Sequence, residues 1–181
     1  MPWLSPIPYK LVRTTASESF RTMKKGTTGL PLPPHPGGFG VARKHHIHEG
    51  VDLYVPEGTP VTTVEDGIVC AILPFTGLIA DSPWWNDTWA VMVEGVSGVV
   101  LYGEINPALD RLGLGDSVKA GEQIGTVVTV LKQDKGRPMS MLHLELYTNG
   151  TRSPVEWALD TPRPSNLIDP TGFLPVNDRR K

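Results

Sequence analysis

The sequence predicts an all-β protein built on an antiparallel sheet. Nineteen glycines and eighteen prolines lie between short runs of valine, isoleucine and leucine, a composition typical of turn-rich β proteins. Apolar and polar residues alternate from Met141 to Tyr147, which is the period of two that a strand requires. Two further strand-like runs, residues 90–94 and 98–104, flank the short segment 95–97 and therefore predict a hairpin.

The first segment, residues 1–38, is rich in proline, with an almost continuous proline run at residues 31–36. Proline fixes its own backbone angle and cannot donate a hydrogen bond, so this run is predicted to be extended and irregular. A short strand is predicted at residues 9–13. We interpret the whole segment as an N-terminal extension packed on the domain, and a proline-rich ligand for a partner is the alternative.

Residues 39–150 are predicted to form the β domain itself. Gly58 and Pro60 mark a turn, and residues 62–64 and 67–71 read as strands around a second turn. After the central hairpin come a loop, a turn-and-strand unit at residues 118–127 and the strand Met141–Tyr147. Residues 151–181 are again proline-rich and are predicted to form an irregular C-terminal extension with a frayed tail at residues 177–181.

The loop at residues 76–89 contains three of the five tryptophans. Aromatic rings give a large rigid contact area, so Trp84 and Trp85 are expected to line one wall of a ligand cleft. The alternative is that the same rings anchor a long loop to the barrel.

Composition excludes several functions. A chain of 181 residues with a net charge of −2 and no basic stripe is one domain that does not bind nucleic acid. No run approaches the roughly 20 apolar residues that a membrane span needs, and the single cysteine excludes an intrachain disulfide. The first residues lack the basic start and apolar run of a signal peptide. The chain is therefore expected to be a processed or cytoplasmic form, or to reach its target by another route such as release on lysis, and the sequence does not decide among these.

Two separated segments contain a candidate metal-binding set. His48 and Asp52 are four residues apart, roughly 13 Å in a straight strand, but Gly50 permits a bend between them. After such a bend His48, Asp52 and His143 could converge as two imidazoles and one carboxylate, which suits a single Zn²⁺ ion. The alternatives are a hydrogen-bonded His48–Asp52 pair at a surface turn with a structural His143, or a metal-free barrel.

Several motifs carry a resemblance to a known family. In order they are FGVAR at 39–43, HEGVDL at 48–53, EGTPV at 57–61, EDGIV at 65–69, LYGEI at 101–105, VKAGEQIG at 118–125 and LHLE at 142–145. Together they resemble the lysostaphin-type zinc metallopeptidases, endopeptidases that cut the peptide bridges of peptidoglycan. The resemblance implies a half-open barrel with its cleft over one zinc ion, with His48, Asp52 and His143 as ligands and a peptidoglycan-type peptide as substrate.

Two positions depart from the family at histidines that it uses in catalysis. This chain has Met141 and Glu104 in their places. A thioether cannot carry a proton, whereas Glu104 can, and zinc proteases of other designs pair the metal with a glutamate base. Glu104 is therefore the expected general base. Tyr102, predicted to share its strand face, is expected to stabilise the oxyanion.

Three further residues complete the predicted site. His46 shares a strand face with His48 and is a candidate substrate contact, as is Met141 beside His143. Glu145 is expected to orient a ligand histidine, a common role for carboxylates near zinc, and a solvated strand carboxylate is the alternative.

Two functions are compatible with the predicted metal site and cleft. The first is a zinc metallopeptidase acting on peptidoglycan-type peptides. The second is a catalytically inactive zinc-binding relative that binds peptide or glycan through the same cleft.

Overall fold

A computed structural model describes residues 2–15 and 24–176 of the chain. Strands account for nearly all of its regular structure: β1 Lys10–Thr14, β2 Thr27–Pro31, β3 His46–Ile47, β4 Val51–Tyr54, β5 Pro60–Thr62, β6 Gly67–Thr76, β7 Thr88–Gly95, β8 Val99–Pro107, β9 Ser117–Val118, β10 Gln123–Val127, β11 Met141–Tyr147, β12 Trp157–Ala158 and β13 Leu167–Ile168. A 3₁₀ turn, Leu78–Ala80, lies in the loop between β6 and β7.

The main sheet runs in the order β13-β11-β8-β7-β6-β9, and its neighbouring strands are antiparallel. Strand β4 lies beside β11, and β10 connects β8 to β5. Among residues 2–15 and 24–176, the sheet stays open and does not close into a full barrel. The predicted all-β fold with a half-open antiparallel sheet is therefore confirmed.

Strand β11 pairs with β4, β8 and β13 and is buried on both faces. Leu142, Leu144 and Leu146 on one face are in the apolar core. His143 and Glu145 on the other face are buried as well. Since a buried polar group without a partner is costly, these two side chains must find partners within the protein.

Both proline-rich ends pack on the domain. Near the N-terminus, β1 pairs in parallel with β2, and Trp3 and Leu11 belong to the core. Near the C-terminus, β12 pairs with β3 and β13 with β11. The boundaries at residues 38/39 and 150/151 stay predictions, and the predicted frayed tail at 177–181 lies outside the described residues.

A bulge in β8 changes the direction of Glu104. Trp89 pairs with Ile105 and Val91 with Tyr102, so two steps along β7 correspond to three along β8. Glu104 has a φ of 63°, in the left-handed region. The prediction that Tyr102 and Glu104 share a face is wrong, because one extra residue inverts the alternation of side chains after the bulge.

Gly50 lies at the predicted bend, but close packing is the reason that glycine is needed there. Its φ is outside the left-handed region, and a Cβ added to it would lie 2.4 Å from the Leu144 carbonyl oxygen and 3.0 Å from Glu145 Cγ. The bend thus brings the backbone after His48 directly against β11.

Substituting Gly50 with alanine is expected to force β4 and β11 apart. Overpacking of this kind costs about 1–3 kcal/mol, so Gly50→Ala should lower the free energy of unfolding by this amount in a denaturant titration. Gly172→Ala is the control, because a Cβ there meets nothing within 4 Å. Equal unfolding midpoints for the two variants would contradict the close packing at Gly50.

Within the described residues, no helix is long and apolar enough to cross a membrane.

Candidate metal centre

Three buried side chains converge where β4 meets β11. His48 lies in the bend between β3 and β4, and Asp52 in β4 is the direct cross-strand partner of His143 in β11. Their exposed fractions are 1%, 3% and 6%. The alternative of a hydrogen-bonded His48–Asp52 pair at a surface turn is therefore wrong, because both side chains are buried.

The facing atoms of the three side chains form a small triangle. His143 Nδ1 lies 2.8 Å from Asp52 Oδ1. His48 Nε2 lies 3.2 Å from Asp52 Oδ1 and 3.2 Å from His143 Nδ1. Tetrahedral zinc with bonds of about 2.0–2.1 Å places neighbouring ligand atoms roughly 3.3 Å apart, so the triangle is nearly the size of one face of such a site.

In each histidine, one ring nitrogen faces the triangle and the other points away from it. The hydrogen bond of the nitrogen that points away determines whether the facing nitrogen carries a lone pair. His48 Nδ1 donates to the Gly38 carbonyl oxygen at 2.9 Å, and His143 Nε2 donates to Glu145 Oε1 at 2.8 Å. When both rings are neutral, His48 Nε2 and His143 Nδ1 are therefore acceptors. Two nitrogen lone pairs and a carboxylate oxygen then face one another, an arrangement that a bound cation stabilises.

The ionisation of these groups is interdependent. Burial raises the pKa of Asp52, but the neighbouring His48 and the hydrogen bond from His143 outweigh it and hold the pKa well below its usual range. Burial lowers the pKa of His143, yet its hydrogen bonds to Asp52 and Glu145 outweigh that effect and raise the pKa well above the usual value. Burial lowers the pKa of His48. The centre thus favours one positive charge beside Asp52, which a metal ion would supply while releasing the His143 proton.

Glu145 and Tyr147, both on β11, extend a chain of hydrogen bonds outward from His143. Glu145 accepts from His143 through one carboxylate oxygen and from the Tyr147 hydroxyl through the other. The Tyr147 oxygen in turn accepts from the Val155 amide at 3.2 Å. This chain of bonds fixes the plane of the His143 ring, which is the arrangement expected of a carboxylate that orients a metal ligand.

Glu104 lies beside the triangle but is not part of it. Its neighbour Gly103 is the cross-strand partner of His143. In the described part of the chain, the His, Cys, Asp and Glu set whose donor atoms all lie within 4.8 Å of one another is His48, Asp52 and His143. Glu104 Oε2 is buried and makes no hydrogen bond to the described residues. Burial and the negative charge of Asp52 raise the pKa of Glu104 to about 8.

The structure does not bring Tyr102 to the centre. Its side chain is buried in the core, where its oxygen accepts from the Val64 amide at 2.9 Å. The predicted oxyanion role of Tyr102 is wrong, because the bulge that turns Glu104 towards the centre leaves Tyr102 on the Leu144 side of the sheet.

The remaining predicted residues surround the centre at greater distance. Met141 pairs with Tyr54 across the strands, and His46 Nε2 lies 3.8 Å from Glu49 Oε2. Trp84 is 63% exposed, and Trp85 forms a bridge with Leu131. Their predicted contacts with a substrate stay predictions.

Sequence reasoning missed three residues near the ligands. The Arg43 guanidinium contacts Asp52, and the Phe75 ring packs on His143 with centroids 5.4 Å apart. Tyr54 follows Asp52 by two residues in β4 and therefore lies on the same strand face. That spacing was available in the sequence as a signal for Tyr54, whereas the positions of Arg43 and Phe75 depend on long-range packing.

A cavity of about 380 Å³ lies at the end of β4. Tyr54 at the end of β4 and Val55 after it line one side, and Asp134, Arg137 and other residues of the 134–140 loop line the other. Its volume falls in the range of small-ligand pockets, about 300–1,000 Å³. Tyr54, which lines this cavity, lies two residues after the candidate ligand Asp52 in β4.

Comparison with known proteins identifies the family. The model of "Peptidase family M23" matches residues 46–155. An uncharacterized protein of Mycobacterium tuberculosis is 31% identical over 155 residues, which are 81% of this chain and 32% of that protein. The chain therefore spans about a third of the length of this curated relative.

Two catalytic domains are among the solved structures to which the chain is similar. The catalytic domain of the antimicrobial peptidase lysostaphin from Staphylococcus simulans aligns with a TM-score of 0.48 and 20% identity, covering 88% of this chain and 98% of that one. The catalytic domain of the prophage-encoded M23 protein EnpA from Enterococcus faecalis aligns with a TM-score of 0.47 and 23% identity, covering 70% and 88%. Since the family match covers more than half of the sequence, this chain belongs to peptidase family M23.

Proposed function

We propose that this protein is a zinc metalloendopeptidase that hydrolyses peptide bonds in peptidoglycan-type peptides. The observation that carries the proposal is the convergence of His48, Asp52 and His143 beside Glu104, whose buried Oε2 makes no hydrogen bond to the described residues. Membership of a peptidase family supports the reaction. The resemblance to cell-wall endopeptidases supports the substrate class.

The donor set fits zinc, which takes histidine nitrogen and carboxylate oxygen in sites with three protein ligands and an open position. Zinc held there would supply Lewis-acid chemistry. Glu104 would accept a proton from the attacking water and pass it to the leaving amine. The raised pKa of its carboxyl, about 8, would fall beside a cation, towards the near-neutral range that suits a general base.

The cavity between β4 and the 134–140 loop is the proposed peptide-binding site. Met141 lies beside Tyr54, which lines this cavity. The loop that contains Trp84 and Trp85 is hydrogen-bonded to the segment that precedes the 134–140 loop, because Asn86 Nδ2 donates to the Thr129 carbonyl at 2.9 Å. This supports a substrate groove that extends from the cavity towards Trp84 and Trp85, with His46 as a further contact.

The second candidate is a zinc-binding relative without catalytic activity. Met141 favours it, because a thioether occupies a position at which the resemblance implies a catalytic histidine and it cannot transfer a proton. Such a protein would keep the metal and the groove and would bind peptide or glycan without cleaving it.

Cleavage of purified peptidoglycan fragments by the zinc-loaded protein tests the proposal. We expect new amino termini to appear with zinc and to vanish after chelation, as followed by amine labelling and mass spectrometry. No cleavage by the wild-type chain, together with cleavage by Met141→His, would contradict the proposal and establish the inactive relative. The zinc content of both proteins must be equal for this comparison.

A further inference from the structure

Arg43 donates a hydrogen bond to Oδ2 of Asp52, the carboxylate oxygen that does not face the two imidazoles. Its Nη2 atom donates to Asp52 Oδ2 at 2.5 Å, while Asp52 Oδ1 faces the two imidazoles. A carboxylate whose outer oxygen is held in this way favours metal binding through its inner oxygen, because the guanidinium occupies one of the outer oxygen's lone pairs. Charge-assisted bonds of guanidinium to carboxylate are also among the stronger hydrogen bonds in proteins.

Arg43 is itself held by the proline-rich segment. The carbonyl oxygen of Pro36 accepts from Arg43 Nη2 at 2.9 Å and from Nε at 3.3 Å. One guanidinium therefore connects the backbone at residue 36 to the candidate metal ligand. The planar fork of arginine allows these bonds to be made together, which a lysine ammonium does not reproduce.

The next two residues hold the rest of the centre. The Gly37 carbonyl accepts from the Asp52 amide at 2.9 Å, and the Gly38 carbonyl accepts from His48 Nδ1 at 2.9 Å. Three successive carbonyls, at residues 36–38, thus hold Arg43, the Asp52 backbone and the His48 ring. We call residues 36–38 the carbonyl strap.

The strap is a rigid part of the fold. His35 is buried, and its Nδ1 accepts from the Gly37 amide at 3.0 Å. The Gly38 amide donates to the His35 carbonyl at 2.9 Å. A Cβ on Gly38 would lie 3.0 Å from the Leu32 carbonyl carbon and 3.0 Å from the Pro33 nitrogen, so the strap packs backbone against backbone.

From these contacts we infer that Arg43 and the carbonyl strap are positioning elements of the metal centre, which orient Asp52 and His48 for one-oxygen and one-nitrogen ligation. Both lie outside residues 46–155, the part of the chain that the family model matches. The inference rests on the proposed metal centre but does not require that the protein cleave peptides. Positioning groups around a metal typically change its affinity by about 10–100-fold when they are removed.

Zinc affinity and the cobalt spectrum of full-length variants test this inference. Arg43→Gln is expected to weaken zinc binding by about 10–100-fold in a competition titration with a chromophoric chelator. The visible absorption of the cobalt(II)-substituted protein should also weaken, because a carboxylate free to bind through both oxygens raises the coordination number. Arg43→Lys should restore part of the affinity, since it keeps the charge without the fork.

A second substitution, Gly38→Ala, tests the carbonyl strap separately from Arg43. Gly38→Ala changes no charged or metal-binding side chain but must displace the backbone that holds His48, so it too should weaken zinc binding. Gly172→Ala, at an open position, and Arg152→Gln, which breaks a surface bond to Glu94, are the matched controls and should leave zinc affinity and the cobalt spectrum unchanged.

The outcomes separate positioning from a purely structural role. Wild-type zinc affinity and an unchanged cobalt spectrum in Arg43→Gln and Gly38→Ala would overturn the inference, even if thermal stability fell. If Arg43→Gln does not fold, unchanged zinc affinity in Gly38→Ala overturns it alone. A protein that binds zinc with this pattern but cleaves nothing would refute the peptidase and leave the positioning role intact.

Discussion

Replacing Glu104 with glutamine is expected to lower kcat by about 10²–10⁴-fold, the usual contribution of a general acid–base group, while zinc content stays unchanged. Glutamine has nearly the same shape as glutamate but cannot accept the proton. Glu104 lies outside the set of candidate metal ligands, so its amide should leave the metal in place. The measurement is the rate of peptide cleavage at equal zinc occupancy.

A surface glutamate provides the matched control. Glu156 is exposed, and Glu156→Gln should retain the full rate. If Glu104→Gln also retains it, the general base is another group and the assignment fails. Because Glu104 Oε2 has no hydrogen-bond partner among the described residues, the substitution should not unfold the protein, and a thermal melt checks that point.

Substituting His48 with alanine is expected to remove the metal. Structural zinc sites bind with about 10–16 kcal/mol, so each of four ligands contributes roughly 3–4 kcal/mol, or ~10²–10³-fold in affinity. After dialysis against a weak chelator, the wild-type chain should retain one zinc and His48→Ala almost none. Elemental analysis per mole of protein measures this directly.

His45 supplies the control for the same experiment. It precedes His48 by three residues and is exposed, so His45→Ala should keep its zinc. A ligand that binds only the folded state raises the unfolding temperature. Zinc should therefore stabilise the wild type and His45→Ala but not His48→Ala, and a His48→Ala protein that keeps one tightly bound zinc would contradict the predicted ligand set.

The candidate ligands could be predicted from local spacing together with the resemblance of the surrounding motifs to a known family. The spacing of His48 and Asp52 around Gly50, and the alternation that places His143 and Glu145 on one face of β11, are both visible in the sequence. The strand itself was predicted with the bounds that the structure gives it, Met141–Tyr147. In such a strand the core leucines and the site residues must alternate, since side chains point to opposite faces in turn.

The roles of Tyr102 and Glu104 could not be predicted from the same rule. Alternation placed both on one face, but the bulge in β8 adds a residue opposite β7 and inverts every side chain beyond it. The signal for the bulge is the Gly103–Glu104 pair, which does not by itself distinguish a bulged strand from a regular one. The register depends on pairing with β7, β10 and β11, which are distant in sequence.

By itself, the sequence determined the all-β class and the strand Met141–Tyr147, because hydrophobic period is a local property. The three residues that converge could be named because the motifs around them resemble a known family. Only the tertiary structure decided that Gly50 is needed for a close approach to β11, that Glu104 and not Tyr102 faces the centre, and that Arg43 and the carbonyl strap hold it. Those features depend on which backbones come within a few ångströms of one another. Such contacts between residues far apart in the chain are set by packing and not by any local pattern.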